Sequence, residues 1–315
     1  MSILRKFFQR CIQNGSLFAV LAALGFSFKA IFVKLSYAAA PVDAITLLAL
    51  RMAMSLPLFI LLLWFSRREI STPLSMNQVL RIMLLGMFGY YLASLFDFQG
   101  LNYISAGLER LILFTYPTIV LLIQAFLLRE RPTPRTLVAM AICYFGLGIA
   151  FVHDLSSSDI SDHVITGALW VFGSAVTYAM YYSGTGAMLK HVSSVRLAGL
   201  AGTSSSLMVL IHYVIVADLS LLPHLPTTVY LNSALMALFS TVLPIYWLAL
   251  AIRRMGATQT AALGNLGPVL TMLASWAILD EVISAYQIAG MAFVLLGVSR
   301  LKPATPKLAP TLKKT

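Results

Sequence analysis

From Leu111 to Leu128 the chain runs eighteen residues without a charge, close to the ~20 needed to cross the hydrocarbon core of a bilayer as a helix. Pro117 sits inside that run. The same pattern returns 151 residues later, where Ala106 answers Ala257, Pro117 answers Pro268, Glu130 answers Glu281 and Gly146 answers Gly297. Four landmarks in one ungapped register across apolar helices define an internal repeat. Every other feature has to be read inside that duplication.

Hydrophobic residues make up 59% of the chain and charged residues 10%, against about 45–50% and about 25% in soluble domains. This excludes a soluble core with a solvated shell. The pattern predicts an all-α polytopic membrane protein. Ten apolar segments can be read, at 17–36, 44–65, 79–99, 107–128, 136–152, 166–187, 197–216, 229–250, 260–279 and 283–299. The first resembles a signal peptide, with Arg5, Lys6 and Arg10 before it and Ala38-Ala39-Ala40 at its end. It is too long for an ordinary signal core, contains Lys29 and Lys34, and is followed by Pro41, so it is read as a retained helix.

The cations fix the expected orientation. With the N-terminus inside, alternate connections and the two tails hold 18 of the 22 Lys and Arg residues, and the opposite loops hold none. The other four, Lys29, Lys34, Arg51 and Arg110, lie within or at the ends of spans. By the positive-inside rule both termini are cytoplasmic. The net charge of +11 therefore reflects topology and not a nucleic-acid partner. The expected plan is a basic tail (1–15), a first five-helix repeat (16–152), an outer linker (153–165), a second repeat (166–302) and a basic tail (303–315). Five spans per copy put the second copy upside down, giving ten transmembrane helices as an inverted 5+5 repeat. In such folds the substrate site lies near the midplane between the halves, here between helices one, three, four, six, eight and nine.

Pro117 and Pro268 each remove an amide donor and free the carbonyl four residues earlier, at Leu113 and Gly264. Both prolines are candidate gating positions, and Asn265 adds a polar amide beside Pro268. Intramembrane charges are costly and face cavities or partners. Lys29, Lys34, Arg51, Asp97, Glu109 and Arg110 all belong to the first half and carry net +2, which suits a substrate with an anionic group. Lys34, Glu109 and Arg110 lie near helix ends and are expected to snorkel. Lys29 and Arg51 are the better path-lining candidates, weighed against a structural ion pair with Asp97 or Glu109. Asp97, the one deep carboxylate, is the candidate for proton coupling. Tyr90, Tyr116, Trp170, Tyr178 and Trp247 are candidate path aromatics, with Tyr91, Tyr181 and Tyr182 nearby; such rings supply flat walls with a polar edge. Cys11 and Cys143 read as ordinary thiols. His153, Asp154, Asp159, Asp162 and His163 lack metal-ligand spacing. No nucleophile elbow, phosphate loop or dinucleotide fingerprint occurs, so neither metal nor cofactor is expected.

The segments Tyr116-Pro117…Glu130-Arg131-Pro132-Thr133…Gly146 and Gly267-Pro268…Glu281-Val282-Ile283-Ser284…Gly290…Gly297 resemble the EamA family of the drug/metabolite transporter superfamily. The resemblance spans essentially the whole chain. It implies a bacterial inner-membrane carrier of small organic metabolites, working in the lipid bilayer on a small-molecule substrate, with protons as a coupling ion where coupling exists. An amino-acid-type exporter is the first expectation and an uptake carrier for an anionic metabolite or vitamin the second. A lipid-modifying membrane enzyme and a non-transporting scaffold are the rivals from other classes. Two departures stand out. Ala139 occupies the position of Gly290, which predicts looser packing of the first half's last helices. The first helix has Lys29 and no Glu, unlike the related four-helix multidrug exporters.

Overall fold

The computed structural model describes residues 15–66, 73–128, 134–157, 161–189, 191–217, 219–264 and 266–300. Their regular structure is helical, with no strand among the described residues. In order the helices are α1 (Ser16–Ala39), α2 (Ala44–Ser66), α3 (Met76–Gly86), α4 (Ala93–Leu101), α5 (Ala106–Leu113), α6 (Tyr116–Leu128) and α7 (Pro134–Ser157). They continue as α8 (Ser161–Met188), α9 (Ser194–Val216), α10 (Thr227–Ala237), α11 (Leu243–Gly264), α12 (Leu266–Leu279) and α13 (Ala285–Arg300). The tails, with Arg5, Lys6, Arg10 and Cys11, and the loop residues Arg67, Arg68, Arg129, Glu130, Arg131 and Lys190 lie outside the described residues, as does Asn265.

An apolar solvent offers backbone groups no partners, so spanning segments close their hydrogen bonds internally. Among the described residues seven helical runs are long and apolar enough to cross a membrane, and three shorter apolar helices join them at Leu137–Ala150, Leu266–Leu279 and Ala285–Gly297. Serines start several runs by accepting from orphan amides. Ser75 and Gln78 form a reciprocal capping box, Ser105 caps the Leu108 amide at 3.1 Å and Ser193 caps that of Arg196 at 3.4 Å. Large apolar side chains also cover the outside: Phe126 is 85% exposed, Ile215 76% and Trp276 61%. Apolar surface on that scale marks lipid contact.

Two spans carry a widened turn. Met87–Leu92 joins α3 to α4 as a π-helical stretch, and Leu238–Val242 joins α10 to α11 in the same way. The two stretches start 151 residues apart, in the register of the sequence repeat. The fourth apolar segment breaks at Phe114–Thr115, just before Pro117. Helix pairing is also reciprocal: α7 packs on α13, α2 on α9, α1 on α11 and α12, and α8 on α4 and α6.

Segments assigned to one face from the sequence meet one another. Tyr37 Oη donates to the Phe98 carbonyl at 2.9 Å, Tyr103 stacks on His163, and the Ala106 amide donates to Glu281 Oε1 at 3.1 Å. At the opposite end Ser194 Oγ donates to the Ala249 carbonyl at 3.0 Å, and Arg254 lies over the Phe18 ring. Between α7 and α8 the segment read as a linker is largely helical, because α7 runs on to Ser157 and α8 begins at Ser161. The side chains of His153, Asp154, Asp159 and Asp162 are outside the described ones.

The α7–α13 pair corrects the expectation of loose packing. A Cβ on Gly146 would sit 2.6 Å from the Gly290 carbonyl oxygen, and one on Gly290 would sit 2.6 Å from that of Gly146. Ala139 is 1% exposed, and a Cβ on the facing Gly297 would lie 2.7 Å from its carbonyl. One glycine per contact suffices, so the alanine is no obstacle. Gly146→Val is expected to lower the melting temperature of the detergent-solubilised protein, by overpacking worth about 1–3 kcal/mol. Gly148→Ala, where an added Cβ meets nothing within 4 Å, should leave it unchanged or slightly raised; equal losses for both would contradict this packing.

Candidate functional site

The break before Pro117, the π-helical turns and the start of α12 all meet at one cavity of about 140 Å³. Its wall on α1 is made of Ala19, Ala22, Ala23, Phe26 and Lys29. Between Phe26 and Lys29 the opposite side of α1 is tied to α12. Ser27 Oγ lies 2.6 Å from the Ala23 carbonyl and 3.0 Å from that of Gly267, while Thr271 Oγ1 donates to the Ser27 carbonyl at 3.2 Å. These contacts stitch α1 to α12 beside Pro268.

A π-helical turn shifts the helix face by one residue, and such turns recur at functional sites. Here Gly89 and Tyr90 of the first turn and Ser240 and Thr241 of the second all line the cavity. Thr241 Oγ1 donates to the Met236 carbonyl at 2.9 Å, five residues back. Gly89 has no room for a side chain, since a Cβ there would overlap the Tyr181 ring. Lining residues also pair across the repeat at 151 residues: Ala23 with Ser174, Gly89 with Ser240, Tyr90 with Thr241, Leu113 with Gly264, Tyr116 with Gly267. Leu113 and Gly264 are the two residues whose carbonyls Pro117 and Pro268 release.

The charges are arranged in depth. Lys29, Arg51 and Arg110 reach the cavity wall. Asp97 does not; it is fully buried behind Lys29, with Oδ2 2.7 Å from Nζ. Beyond that ion pair the neighbour of the Asp97 carboxyl is that of Glu109. Glu109, also fully buried, has Oε2 3.5 Å from Arg110 Nε and interacts with Asp97. Arg110 Nη2 donates to the Phe26 carbonyl at 3.0 Å. Arg51 is 2% exposed, with its guanidinium 4.9 Å from the centre of the Phe98 ring and its Nε without a hydrogen-bond partner among the described residues.

The snorkelling expected of Glu109 and Arg110 is therefore corrected. Both side chains are buried because α5 is covered at its N-terminus, where Glu281 accepts from the Ala106 amide and α12 packs alongside. Asp280, the one non-glycine residue with a left-handed backbone among those described (φ 53°), ends α12 and turns the chain so that Glu281 reaches α5.

Five tyrosines form the facing wall. Tyr116 packs edge-on against Tyr178 with ring centres 5.0 Å apart, Tyr182 lies 5.7 Å from Tyr116, and the Tyr90 and Tyr181 hydroxyls share a 2.5 Å hydrogen bond. Of the residues picked from the sequence, Lys29, Arg51, Tyr90, Tyr116, Tyr178 and Pro268 line the cavity. Asp97 stands behind its wall and Pro117 directly follows a lining residue. Trp170 points elsewhere, 38% exposed and packed on Phe96, and Trp247 is half-buried away from the wall. Asn265 falls outside the described residues. Arg110, Tyr181, Tyr182, Ser94, Ser174, Ser240 and Thr241 also line it. The repeat register was the available signal for Ser174, Ser240 and Thr241, which answer Ala23, Gly89 and Tyr90.

The model of the EamA-like transporter family matches residues 13–152 and 165–301. The chain belongs to the EamA-like transporter family. It is 27% identical over 300 residues to the uncharacterized transporter YcbK of Bacillus subtilis (strain 168), covering 93% of this chain and 95% of that one. To an uncharacterized transporter of Archaeoglobus fulgidus it is 25% identical over 276 residues, covering 85% and 91%. A protein of known crystal structure shares the fold, with a TM-score of 0.64 at 16% identity over 91% of this chain and 96% of that chain. The EamA-like chain is thus an integral membrane protein with apolar helices on the scale of a bilayer, of a family and relatives that carry the transporter name and not that of an enzyme.

In this EamA-like protein, removing one partner of the sealed Lys29–Asp97 pair leaves a buried charge uncompensated, at a cost of about 3–5 kcal/mol. Lys29→Met alone is expected to lower the melting temperature sharply, and the double variant Lys29→Met/Asp97→Asn to recover most of the loss. Additive losses in the double variant would contradict a direct pair.

Proposed function

We propose that the chain is a secondary transporter that moves a small polar or amphiphilic metabolite by alternating access. It is read as ten transmembrane helices in an inverted 5+5 repeat, with both termini cytoplasmic, in a bacterial inner membrane. The observation that carries this reading is the cavity, walled by residues that answer one another at 151-residue spacing in both halves. A site on the pseudo-symmetry axis is what an inverted repeat needs, since exchanging the conformations of the halves then opens it to either side. The reciprocal helix pairing and the two π-helical turns support the same reading. A scaffold has no use for such a cavity. A lipid-modifying enzyme needs clustered catalytic groups at one membrane face, whereas Asp97 and Glu109 are sealed behind cations.

Three cations on the wall, with both carboxylates behind them, favour an anionic metabolite over the amino acid first expected from the sequence. Asp97 and its neighbour Glu109 are the groups through which a proton would couple.

Ala23 is a lining residue with 7% exposure. Filling that space with Ala23→Phe is expected to abolish counterflow of radiolabelled metabolites in liposomes reconstituted with the protein. The melting temperature should stay within a few degrees of wild type. Unchanged counterflow in this variant would place the transport path elsewhere.

A further inference from the structure

The three cations on the cavity wall are not equivalent. Lys29 has Asp97 behind it at 2.7 Å, and Arg110 has Glu109 behind it at 3.5 Å. Arg51 forms no ion pair among the described residues, although it is 2% exposed. Its contacts are the face of Phe98 and the more distant field of Asp97. A cation–π contact offsets only part of the cost of taking a guanidinium out of water. A buried charge retained at that cost inside a membrane marks a functional position, and the partner it lacks is an anion.

The rest of the wall says what else that anion carries. No Asp, Glu or His lines the cavity among the described residues. An ammonium group on the ligand would find no counter-charge, because both nearby carboxylates are turned to Lys29 and Arg110. A second acidic group would find no unpaired cation. The opposite wall is built of tyrosine rings, which accept a flat apolar body, and the enclosed Tyr182 Oη has no hydrogen-bond partner among the described residues.

We propose that the cavity takes an organic monoanion, its single carboxylate on Arg51 beside Lys29 and its flat, uncharged body against Tyr116, Tyr178 and Tyr182. The assignment rests on reading the cavity as the transport site and narrows its substrate class. Monocarboxylates are accepted, while amino-acid zwitterions, amines and dicarboxylates are rejected by charge. Arg51 is the residue that determines this specificity. A planar guanidinium offers two parallel donors to a carboxylate, and a lysine in its place would not reproduce them.

The test uses the purified full-length protein and five probes of similar size: benzoate, benzamide, benzylamine, phenylalanine and terephthalate. A ligand that binds the folded state raises the melting temperature by mass action. Benzoate is expected to stabilise the wild type more than any of the other four. In Arg51→Met an unpaired buried charge is gone, so the ligand-free protein should melt no lower than wild type. Its affinity for benzoate should nonetheless fall roughly 10- to 100-fold, the range for losing a charge-assisted hydrogen bond. A purely structural Arg51 would instead lower the ligand-free melting temperature and leave benzoate binding intact, which overturns the proposal. Preferential stabilisation by phenylalanine, benzylamine or terephthalate overturns it too, as does no response to benzoate. The same probes in counterflow separate the two readings. Exchange of phenylalanine without benzoate discards the monoanion and keeps the carrier. Unaltered metabolite counterflow in Ala23→Phe discards the cavity as the path.

Discussion

The structure of the site depends on the ion pair between Lys29 and Asp97. Two charges removed from water inside a membrane persist only if each holds the other, and their geometry fixes what surrounds them. Lys29 belongs to α1 and Asp97 to α4, so the pair ties the first helix to the third span at the depth of the cavity. It also sorts the charges by sign. The cations line the cavity and the carboxylates stand behind them.

Around this pair the helices are interrupted where the cavity needs backbone or small residues. Pro117 and Pro268 each stand four residues after a lining residue whose carbonyl they free, and each follows a lining residue directly. The two π-helical turns bring Gly89–Tyr90 and Ser240–Thr241 to the wall. Side-chain hydrogen bonds fasten α12 and the turn after it to the first half: Ser27 to Gly267, Thr271 to Ser27, and Glu281 to the first amide of α5. Such bonds are few and local, and a carrier must make and break contacts of this kind in each cycle.

Much of this was legible in the sequence because a membrane leaves few alternatives. Apolar runs of spanning length had to be helices, and the 151-residue register located both prolines. Intramembrane charge singled out Lys29, Arg51 and Asp97. What the sequence hid was direction. Periodicity cannot say which of two adjacent charged residues meets water, so Glu109 and Arg110 were assigned to the interface when α12 and Glu281 in fact bury them. Aromatic residues are ambiguous between pocket and lipid, and Trp170 and Trp247 turned away from the cavity while Tyr181 and Tyr182 turned toward it. The π-helical turns left no sequence signal of their own. They shift which face a residue occupies, and only the repeat register linked Ser240 and Thr241 to Gly89 and Tyr90.

The central claim is that the two ends of the molecule open in alternation about this cavity. Spin labels on Asn102 and Val282 report on one end, and labels on Met76 and His191 report on the other; all four positions are exposed. Pulsed electron–electron distance measurements in liposomes should give two distance populations for each pair. Adding a transported anion should shift them in opposite senses, one end widening as the other narrows. A single unchanging distance at both ends would contradict alternating access and reduce the cavity to a static feature of the fold.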